Sequence, residues 1–501
     1  MNSNLARVLW LAAERDGDRP AIVERERTVD YAGLGQRAAA IAAALRAAGV
    51  APDDRVGIQL KRGPDAAAAC FGVLAAGAIA VHVNEALRQR QIEYILQHSG
   101  ARYLVTASQL SAFTPGRSTG DLHVLDVGAI AAPGKTGLES AVRTGGDVAL
   151  IVYTSGSTGL PKGVMLTHAN LWAGMEAVVG YLGLTREDRI ASLLPFSFVY
   201  GLSQLLCAAG TGAALVVERS PLPEEIVATL RAQQVSVLAA VPPLWLRLLR
   251  VAAFRDAPLT ALRLMTNAGG HLPREAVRAL RRAQPRAQLY LMYGLTEALR
   301  STYLPPDEVD CRPESIGRAI SGAQISVVRE DGTPAAAGEI GELVHRGPTV
   351  ALGYWNDPEL TAQVFRPDPL GPPGTPDSER VVFSGDLVRR DAAGFLYFVS
   401  RKDRILKTLG YRVGPDEIAS VLYASGEVVE AVVAGEADEA CGERIVAYVV
   451  LSERGSLARL KVYCGRELPR YMQPARIEVR DGLPKLPSGK HDLAAVRAGD
   501  S

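Results

Sequence analysis

Two long stretches in which apolar strands alternate with helices constrain the fold of this chain more than any other feature. The first runs from about Val29 to Thr106, where apolar residues recur at helical spacing between short buried runs. The second spans Asp147 to Tyr293. Strands that alternate with covering helices are typical of a mostly parallel sheet, so the sequence predicts two α/β subdomains. The predicted strands lie at 55–60, 78–83, 103–106, 149–153, 213–217, 237–240 and 262–266, and the predicted helices include 64–77, 89–97 and 223–233.

The pattern changes after the second stretch. Short β-rich runs at 324–329, 340–346 and 395–399 are separated by turn residues, which predicts a small β-rich subdomain. Within it, residues 367–379 are rich in proline and predict a solvated loop. From residue 403 onward, helical and strand patterns mix again, as is typical of an α+β unit.

The length of the chain also bears on its division into domains. At 501 residues it exceeds what one hydrophobic core usually supports, so more than one domain is expected. We predict a fold that combines α/β and α+β architecture. A large N-terminal domain, residues 1–402, holds the two α/β subdomains and the β-rich subdomain. A small, mobile α+β domain, residues 403–501, follows a hinge near 401–407.

The overall composition excludes some classes of partner. The formal net charge is +1 and charged residues make up 22%, so there is no electrostatic reason to expect nucleic acid or an anionic membrane. The five cysteines are scattered, odd in number and without metal-ligand spacing, and we interpret them as reduced core residues of a cytosolic protein. The first 18 residues have one early arginine and a short apolar stretch, so neither a signal peptide nor a spanning helix is expected. These features predict a cytoplasmic location.

The densest motif follows the predicted strand at 149–153. Its glycines let backbone N–H groups approach an anion closely, its hydroxyls add donors, and its lysine adds a positive charge, as a polyphosphate requires. A helix is predicted to begin near Thr167. The residues of this phosphate loop are Thr154, Ser155, Gly156, Ser157, Thr158, Gly159, Lys162 and Gly163.

The loop differs from the phosphate loop of kinases and ATPases. That loop places a Ser or Thr directly after its lysine to hold Mg²⁺, whereas Lys162 is followed by Gly163. The difference argues against an ATP-hydrolysing phosphotransferase.

The phosphate loop resembles the signature loop of the adenylate-forming (AMP-binding) superfamily of acyl-CoA synthetases, stand-alone adenylation domains and luciferases. Further motifs match in order along nearly the whole chain. The chain is also similar to bacterial acyl-CoA ligase-like proteins found with exosortase systems, in residues 194–198, 293–306 and 343–347. The further superfamily motifs are Tyr293-Gly-Leu-Thr-Glu297, Ser384-Gly-Asp386, Ser400-Arg-Lys-Asp403, Lys407-Thr-Leu-Gly-Tyr-Arg-Val413 and Pro487-Ser-Gly-Lys490.

The resemblance implies ATP-dependent activation of a carboxylic acid to an acyl-AMP, with release of pyrophosphate. Thr296 would contact the α-phosphate, and Glu297 would help to hold Mg²⁺. Tyr293 would pack on adenine, while Asp386 and Arg401 would bind the ribose hydroxyls. The implied ATP and AMP site comprises Thr154, Ser155, Gly156, Ser157, Thr158, Gly159, Lys162, Gly269, Gly270, Tyr293, Gly294, Asp386, Phe398 and Arg401.

The resemblance also implies a second step, in which the acyl group passes to a thiol. Lys490 would catalyse adenylation from the C-terminal domain, together with Thr296 and Glu297. Rotation about Asp403 would then remove Lys490 and bring the segment 407–413 to the site. The acceptor would be coenzyme A or the phosphopantetheine arm of an acyl or peptidyl carrier protein, and the enzyme would be a monomer or a homodimer.

The acid would bind beside the adenylate. Amino-acid-activating relatives carry an Asp where this chain has Val199, and valine cannot pair an α-ammonium group. Phe198 stands where many acyl- and aryl-CoA ligases have histidine, which argues against their usual aryl substrates. The predicted pocket residues are Phe198, Val199, Ser203, Asn267, Ala268 and Arg300.

Two questions stay open at this point, and a third alternative is disfavoured. Arg300 could pair a second carboxylate or polar tail of the acid, or belong to a structural network with backbone and carboxylates, and we prefer the structural role. An amino-acid-activating stand-alone adenylation domain is the alternative within the enzyme class. A silent binding protein should have lost Lys490, Glu297 or Asp386, and this chain retains all three.

Overall fold

The structure is a computed structural model. It describes residues 2–25, 27–87, 89–107, 122–130, 137–155, 161–372, 374, 379–404, 406–408, 411–438, 442–468, 470–486 and 490–499.

The elements of the first 300 residues follow the predicted alternation. The helices are α1 (Arg7–Arg15), α2 (Tyr31–Ala47), α3 (Pro64–Ala75), α4 (Gln89–Ser99), α5 (His168–Leu182), α6 (Val199–Thr211), α7 (Pro223–Ala232), α8 (Pro242–Arg250), α9 (Ala252–Arg255) and α10 (Arg274–Ala283). The strands are β1 (Pro20–Glu24), β2 (Arg27–Asp30), β3 (Arg55–Gln59), β4 (Ile79–His82), β5 (Tyr103–Thr106), β6 (His123–Asp126), β7 (Val148–Ser155), β8 (Pro161–Thr167), β9 (Arg189–Ser192), β10 (Ala214–Val217), β11 (Val237–Ala240), β12 (Leu264–Asn267) and β13 (Gln288–Tyr293).

Strands dominate the next hundred residues, and a mixture follows them. The later strands are β14 (Thr302–Leu304), β15 (Ser315–Ala319), β16 (Gln324–Val328), β17 (Ile340–Arg346), β18 (Gly353–Tyr354), β19 (Phe365–Pro367), β20 (Arg380–Arg390), β21 (Leu396–Arg401), β22 (Leu406–Thr408), β23 (Tyr411–Val413), β24 (Val428–Asp438), β25 (Gly442–Leu451) and β26 (Arg476–Val479). The later helices are α11 (Pro358–Val364), α12 (Pro415–Ala424), α13 (Leu457–Glu467) and α14 (Leu493–Ala498).

The first sheet has the strand order β18-β8-β7-β4-β3-β5-β6. Strands β7, β4, β3, β5 and β6 are parallel, as the alternating pattern predicts. The prediction that the strand at 149–153 belongs to the second α/β run is wrong, because Leu150 on β7 pairs with Ala80 on β4. Strand β7 therefore belongs to the first sheet.

The second sheet has the order β16-β17-β20-β21-β15-β14-β13-β12-β11-β9-β10-β1-β2, and β19 pairs with β20. The N-terminal strand β1 lies parallel to β10, which places the start of the chain in this sheet. The predicted β-rich subdomain is not separate from it. Antiparallel strands β14 and β15 join β13 to β21 and satisfy backbone groups that would otherwise form an open edge.

A layer of helices lies between the two sheets and forms the main core. Fully buried residues of α2 and α3 pack with Val56 and Ala80 from the first sheet and with Leu215 and Leu264 from the second. Helices α7 to α10 cover the other face of the second sheet. The two α/β subdomains thus share one apolar layer, which stabilises their relative placement.

The C-terminal domain has a sheet of its own, in the order β23-β22-β25-β24, with β26 parallel to β25. Helices α12 and α13 cover one face, and Val496 of α14 packs on the other. The prediction of a small α+β domain after the large N-terminal domain is confirmed.

The cysteine prediction is only partly right. Cys70, Cys207 and Cys464 are buried free thiols, but Cys311 is exposed, and Cys441 lies outside the described residues. In the described part of the chain, no helix has the length and hydropathy needed to cross a membrane.

Candidate functional site

A bulge in the second sheet shapes the centre of the site. On β17, Glu342 pairs with Leu387 and Val344 with Phe383, so Leu343 faces the three residues 384–386. The Ser384 hydroxyl donates to the Leu343 carbonyl over 2.7 Å. Gly385 has a φ of 69°, a conformation that favours glycine. The bulge takes Asp386 out of the pairing with β17, while Asp386 still pairs with Arg401 on β21.

Asp386 is buried and held by two side chains. Arg401 donates from Nη1 to Asp386 Oδ1 over 2.9 Å, and the Tyr293 hydroxyl donates to Oδ2. Burial raises the pKa of Asp386, and the positive charge of Arg401 opposes that change. Burial and the nearby Asp386 charge together raise the pKa of Tyr293, so its hydroxyl stays a donor. The motifs around 293, 386 and 401 therefore meet in space.

Glu297 lies on a single 3-10 turn, Thr296–Ala298, directly after β13. Its carbonyl accepts from Ala351 N over 2.8 Å, and its Oε1 accepts from the Tyr354 hydroxyl over 2.6 Å. Burial and the Glu297 charge raise the pKa of Tyr354. Sequence reasoning missed Tyr354, although it follows Gly353 in a turn motif. The carboxylate of Glu297 is thus fixed at one oxygen.

Lys490 reaches this site from the C-terminal domain. Its side chain is solvent-exposed, but partial desolvation by the surrounding atoms lowers the pKa of its amine. The charges of Asp386 and Glu297 act in the opposite direction, while Arg401 and Arg404 act in the same direction as the desolvation. The amine therefore lies within electrostatic range of carboxylates of the N-terminal domain.

The phosphate loop connects two antiparallel strands. Thr154 on β7 pairs with Lys162 on β8, and Ser155 pairs with Pro161. Gly156, Ser157, Thr158 and Gly159 lie outside the described residues, so their placement stays a prediction. Helix α5 begins at His168 with Thr167 as its N-cap, as predicted. The rest of strand β8 lies between Gly163 and that helix, so the helix does not directly follow the loop in the chain.

The end of β12 supplies a buried amide. The Asn267 side chain donates to the Gly270 carbonyl over 3.2 Å, and its Oδ1 has no hydrogen-bond partner among the described residues. Gly269 adopts a φ of 82°, which allows the chain to turn there. A buried acceptor without a partner is a place where a ligand donor can bind. Gly294 follows β13 and Phe398 lies on β21, each half-buried.

Two small adjoining cavities lie beside the predicted acid pocket. One is lined by residues that include Tyr200, Thr266 and Met292, and the other by residues that include Val199. Ser203 and Arg300 line both cavities. Of the predicted pocket residues, Val199, Ser203 and Arg300 line these cavities; the others lie beside them. Those others are Phe198, at the N-cap of α6, and Asn267 and Ala268, where β12 ends.

An unusual turn sets the direction of Arg300. Leu299 has φ 55° and ψ −68°, and Arg300 N donates to the Ala298 carbonyl over 2.6 Å. This is a γ-turn of the rare type with positive φ. Such backbone is strained by about 1–3 kcal/mol and persists where the surrounding structure enforces it. Nothing in the local sequence signalled this turn.

The buried His345 contacts Ser301, which follows this turn. Its Nδ1 lies 2.9 Å from Ser301 Oγ and its Nε2 lies 3.1 Å from Thr349 Oγ1, so both ring nitrogens have hydrogen-bond partners while the imidazole is neutral. Burial lowers the pKa of His345 to about 4. Between that value and about 6.5, the unfolded chain binds a proton that the native state does not, so stability falls as the pH falls.

We expect His345→Gln to remove this acid sensitivity. Between pH 7 and pH 5 the wild-type histidine should cost about 2 kcal/mol of stability, which the variant should not lose. His82 and His168 also have a pKa lowered to about 4 by burial, so part of the pH dependence will remain. Chemical unfolding at both pH values measures the difference. The exposed His123, changed to Gln, serves as the control, and an equal change in both variants would contradict the assignment.

The comparisons with known proteins match both domains. Residues 9–355 match the AMP-binding enzyme family, and residues 417–490 match the AMP-binding enzyme C-terminal domain. The chain belongs to the AMP-binding enzyme family. This AMP-binding enzyme is 34% identical to a linear gramicidin synthase of Brevibacillus parabrevis over 495 residues, which is 97% of this chain. The chain spans only 9% of the length of that relative.

Solved structures of similar AMP-binding enzymes cover the whole fold. The o-succinylbenzoate CoA synthetase of Bacillus subtilis, bound to the acyl-adenylate OSB-AMP, has a TM-score of 0.85 and 26% identity, over 97% of this chain and 96% of that chain. A structure of that synthetase with ATP and magnesium has a TM-score of 0.86 and 26% identity, over 98% and 99%. The anthranilate CoA ligase AuaEII, in complex with anthranoyl-AMP, has a TM-score of 0.90 and 25% identity, over 100% and 97%.

Proposed function

We propose that this AMP-binding enzyme activates a carboxylic acid as its acyl-AMP, releases pyrophosphate, and transfers the acyl group to a thiol. It is thus an acid-thiol ligase, whose acceptor is coenzyme A or the phosphopantetheine arm of a carrier protein. We place it in the cytoplasm, as a monomer or a homodimer. The family and the CoA ligases among its structural relatives support the reaction class.

One observation carries the proposal: the negative charges of Glu297 and Asp386 act on the Lys490 amine from the other domain. In adenylation a carboxylate attacks a phosphate, so two anions must meet and be aligned. A lysine amine that reaches this point can neutralise both. Thr296, on the same turn as Glu297, lies beside the reacting groups in this assignment.

The residues present also fit ATP and magnesium. The described side chains include no cluster of three or more metal-ligating residues, but Mg²⁺ commonly takes one or two carboxylates and completes its shell with phosphate oxygens and water. Glu297 offers the carboxylate oxygen that Tyr354 does not hold. The bound ion would neutralise charge on the triphosphate. The unpaired oxygen of Asn267 and the carboxylate of Asp386 offer acceptors for donors on the nucleoside.

The amino-acid alternative is weaker on this structure, although the gramicidin synthase relative fits it. Val199 lines the cavity where an aspartate would have to pair the α-ammonium group. The same cavity is lined by the guanidinium of Arg300, which repels an ammonium group. A phosphotransferase is disfavoured by Gly163, which cannot supply the hydroxyl that its loop requires.

A panel of acids tests the proposed function. Short, branched, aryl, fatty and amino acids are each mixed with ATP, magnesium and the full chain, and pyrophosphate and AMP are measured. The panel is repeated with coenzyme A and with a holo carrier protein. We expect pyrophosphate and AMP in equal amounts for at least one acid class. Release of ADP and phosphate, or no release above background with any acid, would overturn the proposal.

The domain boundary that we propose lies between two anchored segments. Arg401 is bound to Asp386, and Lys402 donates to Glu342 over 3.1 Å, so both side chains are held by the N-terminal domain. Four residues after Lys402, β22 already belongs to the C-terminal sheet. Asp403 lies between these anchors, on the 3-10 turn Lys402–Arg404. We therefore propose Asp403 as the hinge about which the C-terminal domain rotates between the two half-reactions.

We expect Asp403→Pro to separate the half-reactions. Proline fixes φ near −65°, which a 3-10 turn accepts, but it prevents the larger backbone change that rotation requires. Acid-dependent pyrophosphate release should stay within about twofold, while thioester formation should slow by about tenfold or more. Single-turnover assays of each step measure the two rates. Asp403→Ala, which leaves φ free, should slow neither step, and equal losses of both steps in the proline variant would count against the hinge.

A further inference from the structure

The acid pocket contains a buried cation, Arg300, with which no carboxylate of the described residues pairs. Arg300 is 6% exposed, and its guanidinium carbon lies 4.8 Å from the centre of the Tyr200 ring. Its Nη1 donates to the Leu299 carbonyl over 3.0 Å. Its Nε is buried and has no hydrogen-bond partner among the described residues, and no described carboxylate pairs with it. The structural network of backbone and carboxylates, the role preferred for Arg300 from the sequence, therefore has no carboxylate in the part of the chain that the structure describes.

Ser203 offers a second donor on the same wall. The hydroxyl of Ser203 has only a weak contact, 3.9 Å from Cys207 Sγ. Because both Ser203 and Arg300 line both cavities, a group bound between them would meet donors from α6 and from the γ-turn. The remaining lining is mostly aliphatic and aromatic. An apolar pocket with a few convergent donors is suited to one polar group on an otherwise apolar ligand.

The strained turn is a separate observation that points to the same residue. The γ-turn at Leu299 lies directly before Arg300, and the guanidinium donates back to the carbonyl of Leu299, so the turn and the side chain form one unit. Strain of this kind concentrates at ligand-binding sites, where the surrounding structure enforces it.

We propose that the acid activated by this enzyme carries a second carboxylate, and that Arg300, with Ser203, binds that carboxylate. The substrate class is a dicarboxylic acid, of which one carboxylate reacts and the other pairs with the guanidinium. The proposal rests on the proposed function, because it concerns the far end of the acid that is adenylated. A neutral tail would leave the guanidinium buried without its anion, which is unfavourable.

Matched substrates test the proposal with the unmodified enzyme. Saturated dicarboxylic acids of graded chain length are compared with their own monomethyl esters, which keep the length and lose one charge. Pyrophosphate release gives kcat/KM for each. Charge-assisted hydrogen bonds to a buried guanidinium predict a preference of about 10²-fold for the best diacid over its ester. An ester activated as well as its diacid would overturn the proposal.

Variants assign the preference to a residue. Arg300→Gln should reduce the ratio of diacid to ester kcat/KM by about tenfold or more, and Arg300→Lys should retain part of it because it keeps the charge but loses the planar fork. Arg281→Gln, which removes an arginine paired on the surface with Asp310, should leave the ratio unchanged. A ratio that is the same in Arg300→Gln and wild type would overturn the assignment to Arg300.

Equilibrium binding separates this proposal from the proposed function. Calorimetry with the diacid, in the presence and absence of AMP, detects the pocket without chemistry. Diacid binding that Arg300→Gln abolishes, together with no pyrophosphate from any acid, would sustain the ligand class and overturn the adenylation. Pyrophosphate from monocarboxylic acids, together with no preference for diacids in binding or turnover, would sustain adenylation and overturn the ligand class.

Discussion

Replacing Lys490 with Ala is expected to lower the rate of acid-dependent pyrophosphate release by about 10³-fold. At an effective dielectric near 20, a unit charge about 4 Å from an anion contributes roughly 4 kcal/mol. If that contribution grows as charge develops in the transition state, it corresponds to roughly 10³-fold in rate. The side chain reaches solvent, so its removal leaves no buried cavity and the thermal unfolding midpoint should hardly move. Pyrophosphate release at saturating acid and ATP measures the loss.

A neighbouring lysine provides the matched control. Lys485 forms a β-bridge with His491, next to Lys490, and its amine pairs with Glu430 over 2.6 Å within the C-terminal domain. Lys485→Ala should keep pyrophosphate release within about threefold, since a surface ion pair contributes little. Acyl transfer from synthetic acyl-AMP should survive in Lys490→Ala, because that step follows adenylation. Equal loss of pyrophosphate release in the two lysine variants would contradict the assignment of Lys490.

The elements that could be predicted from the sequence are those that local patterns determine. The strands predicted at 103–106 and 237–240 have the same bounds in the structure. Apolar spacing and flanking turn residues suffice for such elements. Pairing partners do not follow from local pattern, so the strand at 149–153 is assigned to the wrong sheet by its sequence alone. Its sequence is equally apolar whichever neighbour it pairs with.

The site shows the same division. The resemblance implies that one site contains Tyr293, Glu297, Asp386, Arg401 and Lys490, which lie far apart in the sequence. The structure relates them by hydrogen bonds and by charge. The Tyr354 hydroxyl that holds Glu297 comes from 57 positions away, and no spacing rule signals such a contact. Arg300 follows a γ-turn at Leu299, and leucine rarely adopts the positive φ that this turn requires. Strain imposed by tertiary structure runs against local preference, so local preference cannot reveal it.

Replacing Asp386 with Asn is expected to raise the KM for ATP by about 10²-fold. We propose that its carboxylate accepts hydrogen bonds from the ribose hydroxyls, and hydrogen bonds to a charged group contribute about 1.5–3 kcal/mol each. The change also removes a negative charge that raises the pKa of Lys490. The amine then loses its proton at a lower pH, so the alkaline limb of the pH–rate profile should move to lower pH. Pyrophosphate release against ATP concentration and pH measures both effects.

The change in KM distinguishes a nucleotide-binding role of Asp386 from a purely structural one. Asparagine has nearly the same shape and keeps an acceptor for Arg401, so a structural role predicts little change in KM, whereas the pH profile reports the loss of charge near Lys490. Asp310→Asn, which breaks an exposed pair with Arg281, should change neither quantity. A raised KM without a shifted alkaline limb would separate Asp386 from Lys490, and would show that the amine does not sense that carboxylate during adenylation. If both changes are observed, the same carboxylate, that of Asp386 in the bulge at 384–386, binds the ribose and raises the pKa of the catalytic lysine.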